Sequence, residues 1–224
     1  MLSVKCQAIL FDMDGTLVDS THCVEAIWKR WAARHGLELG RILAASHGRR
    51  TLDTIREIAP HLDVDEETRR LDAEELEVTK GIEAVPGAAA LLQALPPQRW
   101  AVVTSAGRAL AELRLRCAGL PIPPVLVSAE DVSEGKPNPA GYRRAAQLLQ
   151  VAPEQCLVVE DTPAGLLAGR AAGMQVLALT TTYPATHLLG ACCIRDFCQT
   201  QLVPVSDGME LHIPWVTCPA VPTS

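Results

Sequence analysis

The sequence predicts an α/β fold: a parallel sheet flanked by helices and interrupted by one all-helical insertion. Three observations predict it. Short apolar runs at Ala8 to Phe11, Trp100 to Thr104, Val125 to Val127, Leu157 to Glu160 and Val176 to Leu179 alternate with helix-length amphipathic segments, the pattern of parallel strands joined by crossover helices. Most of these runs are continuously apolar, as expected of strands covered on both faces. From Leu17 to Ala84, by contrast, there is no convincing strand, only one helical pattern after another.

Taken in order, the first strand ends at Phe11 and is followed at once by Asp12-Met13-Asp14-Gly15. The insertion opens with a helix whose Val24, Ile27, Trp28 and Trp31 share one stripe and which stops at Gly36, a residue suited to the left-handed helix end. A second helix is expected from Thr51 to Ile58, broken by Pro60, and a third, strongly charged, from Glu66 to Thr79. Charges in Glu66 to Lys80 recur three and four residues apart, so ordinary pairing along a helix explains them. The chain would hinge near Gly15 to Ser20 and again near Gly81 to Gly87. Helices are then expected at Ala88 to Leu95, Leu110 to Ala118, Ala140 to Leu149 and Ala164 to Ala172, with Gly119 and Gly173 stopping two of them. Near the end, Val203 to Ile213 brackets the turn pair Asp207-Gly208, and Pro204 confines its strand to a sheet edge. Residues after Trp215 read as a loose end, and nothing after Gly190 carries a functional reading.

Bulk properties bound the function. With 224 residues the chain can bury a sizeable core. A net charge of -6 without a dense basic cluster argues against nucleic acid as a partner; Arg69-Arg70 and Arg143-Arg144 read as solvated helix faces. The eight cysteines show no metal-ligand spacing. No signal peptide and no membrane-length apolar stretch is evident, so reduced thiols in a soluble cytoplasmic protein are expected.

The chemistry is expected at strand ends, because ligands of open parallel sheets bind beyond the carboxyl ends of the strands. There Asp12 can act as a nucleophile, and Asp14 can protonate a leaving oxygen and later deprotonate water. An Asp-Gly turn holding two aspartates by chance is the competing reading. Three more segments follow their own predicted strands. Thr104 and Ser105 offer a hydroxyl and a backbone N–H to phosphate oxygens. Lys136, in Gly135-Lys136-Pro137-Asn138-Pro139, offers a fixed amine to neutralise a nucleophile and a phosphoryl group. Glu160-Asp161, in Val158-Val159-Glu160-Asp161-Thr162-Pro163-Ala164-Gly165, offers oxygen ligands to a hard cation such as magnesium. Asp161 or Thr162 could also cap a helix before Pro163.

These four segments, in this order, resemble the haloacid dehalogenase-like superfamily in its capped subgroup, with an α-helical insert after the first motif. The likeness covers the chain to about residue 185. It implies a Rossmann-like α/β core, residues 1–16 and 85–224, with a helical cap, residues 17–84. It also implies that Asp12 is the nucleophile and a metal ligand, and that Asp14 is the general acid/base and gives the metal its main-chain carbonyl. Thr104 and the Ser105 amide would hold the phosphoryl group, Lys136 would pair with Asp12 and phosphate, and Asp161 would ligate Mg2+ directly, with Glu160 acting through a water.

Within that superfamily, dehalogenases and phosphonate-cleaving relatives lack the second aspartate, whereas phosphatases typically carry the Asp14-Gly15-Thr16 pattern. A phosphatase acting through an aspartyl phosphate is therefore expected; a phosphosugar mutase is the alternative, and a non-catalytic sugar-phosphate-binding protein a further one. The cap segment Ser46-His47-Gly48-Arg49-Arg50-Thr51 looks like that of the sugar- and polyol-phosphate phosphatases, which makes His47, Arg49, Arg50 and Arg56 the candidate specificity residues. The expected partner is a small phosphorylated metabolite, not a membrane or a nucleic acid, with a monomer favoured.

Overall fold

A computed structural model describes residues 2–213. The chain runs β1 (Leu2–Cys6), β2 (Ala8–Phe11), β3 (Val18–Asp19), then four helices, α1 (Thr21–His35), α2 (Leu39–Ser46), α3 (Thr51–Ile58) and α4 (Val64–Leu76). It returns through β4 (Glu83–Ala84) and continues as α5 (Ala88–Ala94), β5 (Trp100–Val103), α6 (Arg108–Cys117), β6 (Leu126–Val127) and α7 (Ala140–Leu149). The remaining elements are β7 (Cys156–Glu160), α8 (Pro163–Ala171), β8 (Gln175–Leu179), β9 (Cys192–Ile194), β10 (Gln201–Val205) and β11 (Gly208–Ile213).

Six strands form a parallel sheet in the order β6-β5-β2-β7-β8-β9. The chain leaves β2 to build one side of the sheet, then crosses back to place β7 on the other. That reversal opens a crevice at the end of β2, where a Rossmann-like sheet receives its ligand. The alternation of side chains along each strand sorts the apolar runs onto two faces. Ile9, Phe11, Trp100, Val102, Leu157 and Val159 pack in one core cluster, while Ala8, Leu10, Ala101, Val103, Cys156 and Val158 pack in another under α7 and α8. This is why the runs carry no polar alternation.

The helical insertion has a core of its own, built from Ile27, Trp28, Trp31, Ala32, Ile42, Ile55, Ala59 and Leu71. Gly36 closes α1 in the left-handed conformation. Helix α2 was not expected from the sequence: it contains Gly40 and lacks a side-chain cap. The chain enters the insertion along β3 and leaves along β4, and those two short strands pair antiparallel, Val18 opposite Ala84 and Asp19 opposite Glu83. A separate antiparallel sheet, β1-β11-β10, contains the Asp207-Gly208 hairpin and places Pro204 on its edge strand. Among the described residues no helix is long and apolar enough to cross a membrane. The loose end expected after Trp215 lies outside the described residues.

Candidate active site

Strands β2, β5 and β7 are neighbours, so their carboxyl ends bring Asp12, Thr104 and the Glu160-Asp161 pair together. Lys136 reaches them from the loop before α7. Its ammonium donates to Asp12 Oδ1 and, at 2.6 Å, to Glu160 Oε1, and it lies 5.3 Å from the centre of the Tyr142 ring. All of these groups are buried. Burial alone would lower the Lys136 pKa, but Asp12 and Glu160 hold it above its ordinary value, so the amine is charged. Burial in turn pushes Asp12 up, opposed by Lys136 and reinforced by Glu160.

Glu160 is the hub of this arrangement. Its Oε1 also accepts from the Tyr142 hydroxyl at 2.9 Å, and its Oε2 accepts from the backbone N–H groups of Asp161 and Thr162 and from Thr162 Oγ1. A carboxylate has about four acceptor positions, so these partners occupy Glu160 and leave Asp12 and Asp161 as the carboxylates with capacity for a cation. Thr162 does cap α8, accepting from the Gly165 N–H. Position 165 must be glycine for packing: a Cβ there would lie 1.7 Å from Glu160 Oε1.

Asp161 accepts from Thr16 Oγ1 at 3.1 Å and from Thr182 Oγ1. Its pKa stands well above the ordinary carboxylate value, first through burial and then through the charges of Asp12 and Glu160. Three buried acids thus face one lysine, so the charged forms of Asp12 and Asp161 are disfavoured without a further cation. Oxygens of Asp12, Glu160 and Asp161 lie within 4.8 Å of one another. Gly15, at φ +81°, passes so close that a Cβ would sit 2.0 Å from Asp161 Oδ2. An all-oxygen set with surplus charge fits a magnesium ion.

Above this floor lies a cavity of about 90 Å³ lined by Asp12, Asp14, Thr104, Ser105 and Asp161 from the core and by Val24, Trp28, His47, Gly48, Arg49 and Glu75 from the cap. Lys136 stands behind Asp12, outside that lining. Asp14 is held by Ser20 Oγ at 2.6 Å and by Arg114 at 2.8 Å. Ser105 Oγ donates to the Gly48 carbonyl at 2.9 Å, joining core to cap.

The four cap candidates separate. His47 and Arg49 line the cavity. Burial lowers the His47 pKa, opposed by the charge of Glu25, and Arg49 pairs with Glu57 at 2.6 Å. Arg50 instead pairs with Asp53 and donates to the Val132 and Ser133 carbonyls of the loop that carries Lys136. Arg56 is exposed and is not among the lining residues. Sequence reasoning did not single out Tyr142, Thr182, Glu75 or Arg114. Only Arg114 left a signal, as a charge on the buried stripe of α6 beside Leu110, Ala111 and Leu115.

A family model described as haloacid dehalogenase-like hydrolase matches residues 6–173. The chain is 46% identical over 181 residues to hexitol phosphatase A of Escherichia coli (strain K12), covering 79% of this chain and 84% of that protein. It is 34% identical over 200 residues to glycerol-1-phosphate phosphohydrolase 2 of Saccharomyces cerevisiae, covering 84% and 80% respectively. Among solved structures, a hydrolase from Pseudomonas syringae superposes with a TM-score of 0.72 at 28% identity, covering 81% of this chain and 89% of that one.

Proposed function

The chain belongs to the haloacid dehalogenase-like hydrolases, and from that premise we propose that it hydrolyses phosphate monoesters of small polyhydroxylated metabolites through a phosphoryl group carried on Asp12. One observation carries the reading: Asp12 is buried against a charged lysine at the floor of a cavity that Asp14, Thr104 and Ser105 also line. The relatives named for hexitol and glycerol phosphates support this substrate class.

An Asp12 oxygen attacks phosphorus while the bond to the alcohol oxygen breaks, and Asp14 gives that oxygen its proton. Thr104 and the Ser105 N–H hold the phosphoryl oxygens, and Lys136 keeps Asp12 oriented and its charge balanced. Water then attacks the same phosphorus and loses its proton to Asp14. The bond to Asp12 breaks, and phosphate and the free carboxylate are released. Magnesium, which Asp12, Asp161 and the main-chain carbonyl of Asp14 would hold, supplies neutralisation of phosphoryl charge. On the cap side, His47 and Arg49 are the assigned substrate contacts, while Arg50 bears on specificity through docking the cap.

The test is phosphate release from glycerol, hexitol and hexose phosphates with magnesium or with chelator. Wild-type protein releases phosphate only with the metal. Asp12→Asn lowers kcat by roughly three orders of magnitude or more. Near-wild-type turnover by Asp12→Asn would defeat the covalent route. Isomerised sugar phosphate without free phosphate would favour a mutase.

A further inference from the structure

Among the described residues, both hydrogen-bond partners of the Asp14 carboxylate lead to the cap. Asp14 Oδ1 accepts from Ser20, the residue that precedes α1, at 2.6 Å. Asp14 Oδ2 accepts from Arg114 Nη1 at 2.8 Å, and the other arm of that guanidinium, Nη2, donates at 2.8 Å to Glu75 in the last turn of α4. From this we infer that Arg114 is a positioning residue, fixing the orientation of Asp14 and making it depend on where the cap sits.

Three observations carry the inference. Arg114 is 4% exposed, and a charge so buried is tolerated only while paired. The planar guanidinium sets its two arms in a fixed geometry, so a displacement of Glu75 is passed to Asp14. The Asp14 carboxylate, with about four acceptor positions, gives one to Ser20 and one to Arg114. Its side chain remains 28% exposed and lines the cavity, so the grip orients the group without closing it off. A plain docking ion pair would need Arg114 and Glu75 only; the second arm on Asp14 is what such a role leaves unexplained.

The inference rests on Asp14 being the proton donor, and the test separates the two. Phosphoryl-enzyme formation is followed in a single turnover with glycerol 1-phosphate, whose alkoxide needs a proton to leave, and with acetyl phosphate, whose acetate does not. Arg114→Ala is expected to slow the first by roughly 10- to 100-fold and the second by no more than about threefold. Arg114→Lys, which keeps the charge but not the fork, restores part of the loss. It also serves as the readout if the alanine variant does not fold. Glu75→Ala gives the same selective loss, smaller. Equal loss on both probes, or no loss on either, in the Arg114 and Glu75 variants overturns the inference. Asp14→Asn is the control. If it slows both probes equally, the proton-donor reading itself falls. If it is selective while the other variants are not, only the role of Arg114 falls.

Discussion

On the core side of the cavity Asp12, Lys136, Glu160 and Asp161 are buried and interact with one another, whereas on the cap side His47 and Arg49 are half-buried, and Arg49 pairs with Glu57 of its own helical stretch. The core groups are largely withdrawn from water, where hydrogen bonds are strong and an unpaired group is expensive. The cap groups keep contact with water and with spare partners. Chemistry common to a family tolerates little change in the first environment, whereas selectivity for one alcohol over another can be retuned in the second.

The sharpest way to break that contrast is to remove one partner from the core. Lys136→Ala would leave Asp12 and Glu160 buried without their cation. That should cost about 3–5 kcal/mol, or roughly 10 °C in Tm for a chain of this size, along with most activity. A thermal melt within about 2 °C of wild type would show the floor to be more open to water than its burial implies.

A smaller effect of opposite sign is expected at Asp161. Its pKa is raised by burial and by neighbouring acids, so the charged form is disfavoured in the folded protein. Above the unfolded-state value that charge opposes folding, and removing it relieves the opposition. In chelator, Asp161→Asn should therefore melt higher than wild type by a few degrees, on the order of 2–4 °C per kcal/mol. With magnesium the order reverses: wild type gains about 2.7 kcal/mol at a metal concentration of 100 Kd, and the variant gains little. Equal melting of the two proteins under both conditions would remove Asp161 from the metal site.

The smallest effects belong to the cap. Arg49→Ala should raise KM for a hexitol phosphate several-fold, about 1 kcal/mol or less, with kcat nearly unchanged. Arg56→Ala should leave both constants within about twofold. A larger effect from Arg56 than from Arg49 would mean that substrate approaches from outside the cavity described.

The core side was also the more legible in the sequence. Asp12, Thr104 and Glu160-Asp161 each end a continuously apolar run, and the register of a parallel sheet turns that coincidence into proximity. Lys136 was legible through its Gly-Pro setting, although its partnership with Glu160 was not. On the cap, Arg49, Arg50 and Arg56 look alike along the chain, but one faces the cavity, one docks on the core and one faces solvent. Arg114 and Asp14 stand 100 positions apart, and no local period reports a contact of that kind. Helix α2 escaped notice because Gly40 weakens its propensity, and the packing of Ile42 into the cap core compensates.

The pairing of β3 with β4 bears on how such a molecule is assembled from parts. Because Asp19 and Glu83 lie side by side, the core meets the whole intervening stretch as though it were a long loop on a hairpin. The entropy of closing such a loop grows only with the logarithm of its length. A change in the length of that stretch would therefore alter the cost of closing it only slowly, and the two paired strands would keep the register at which it meets the sheet.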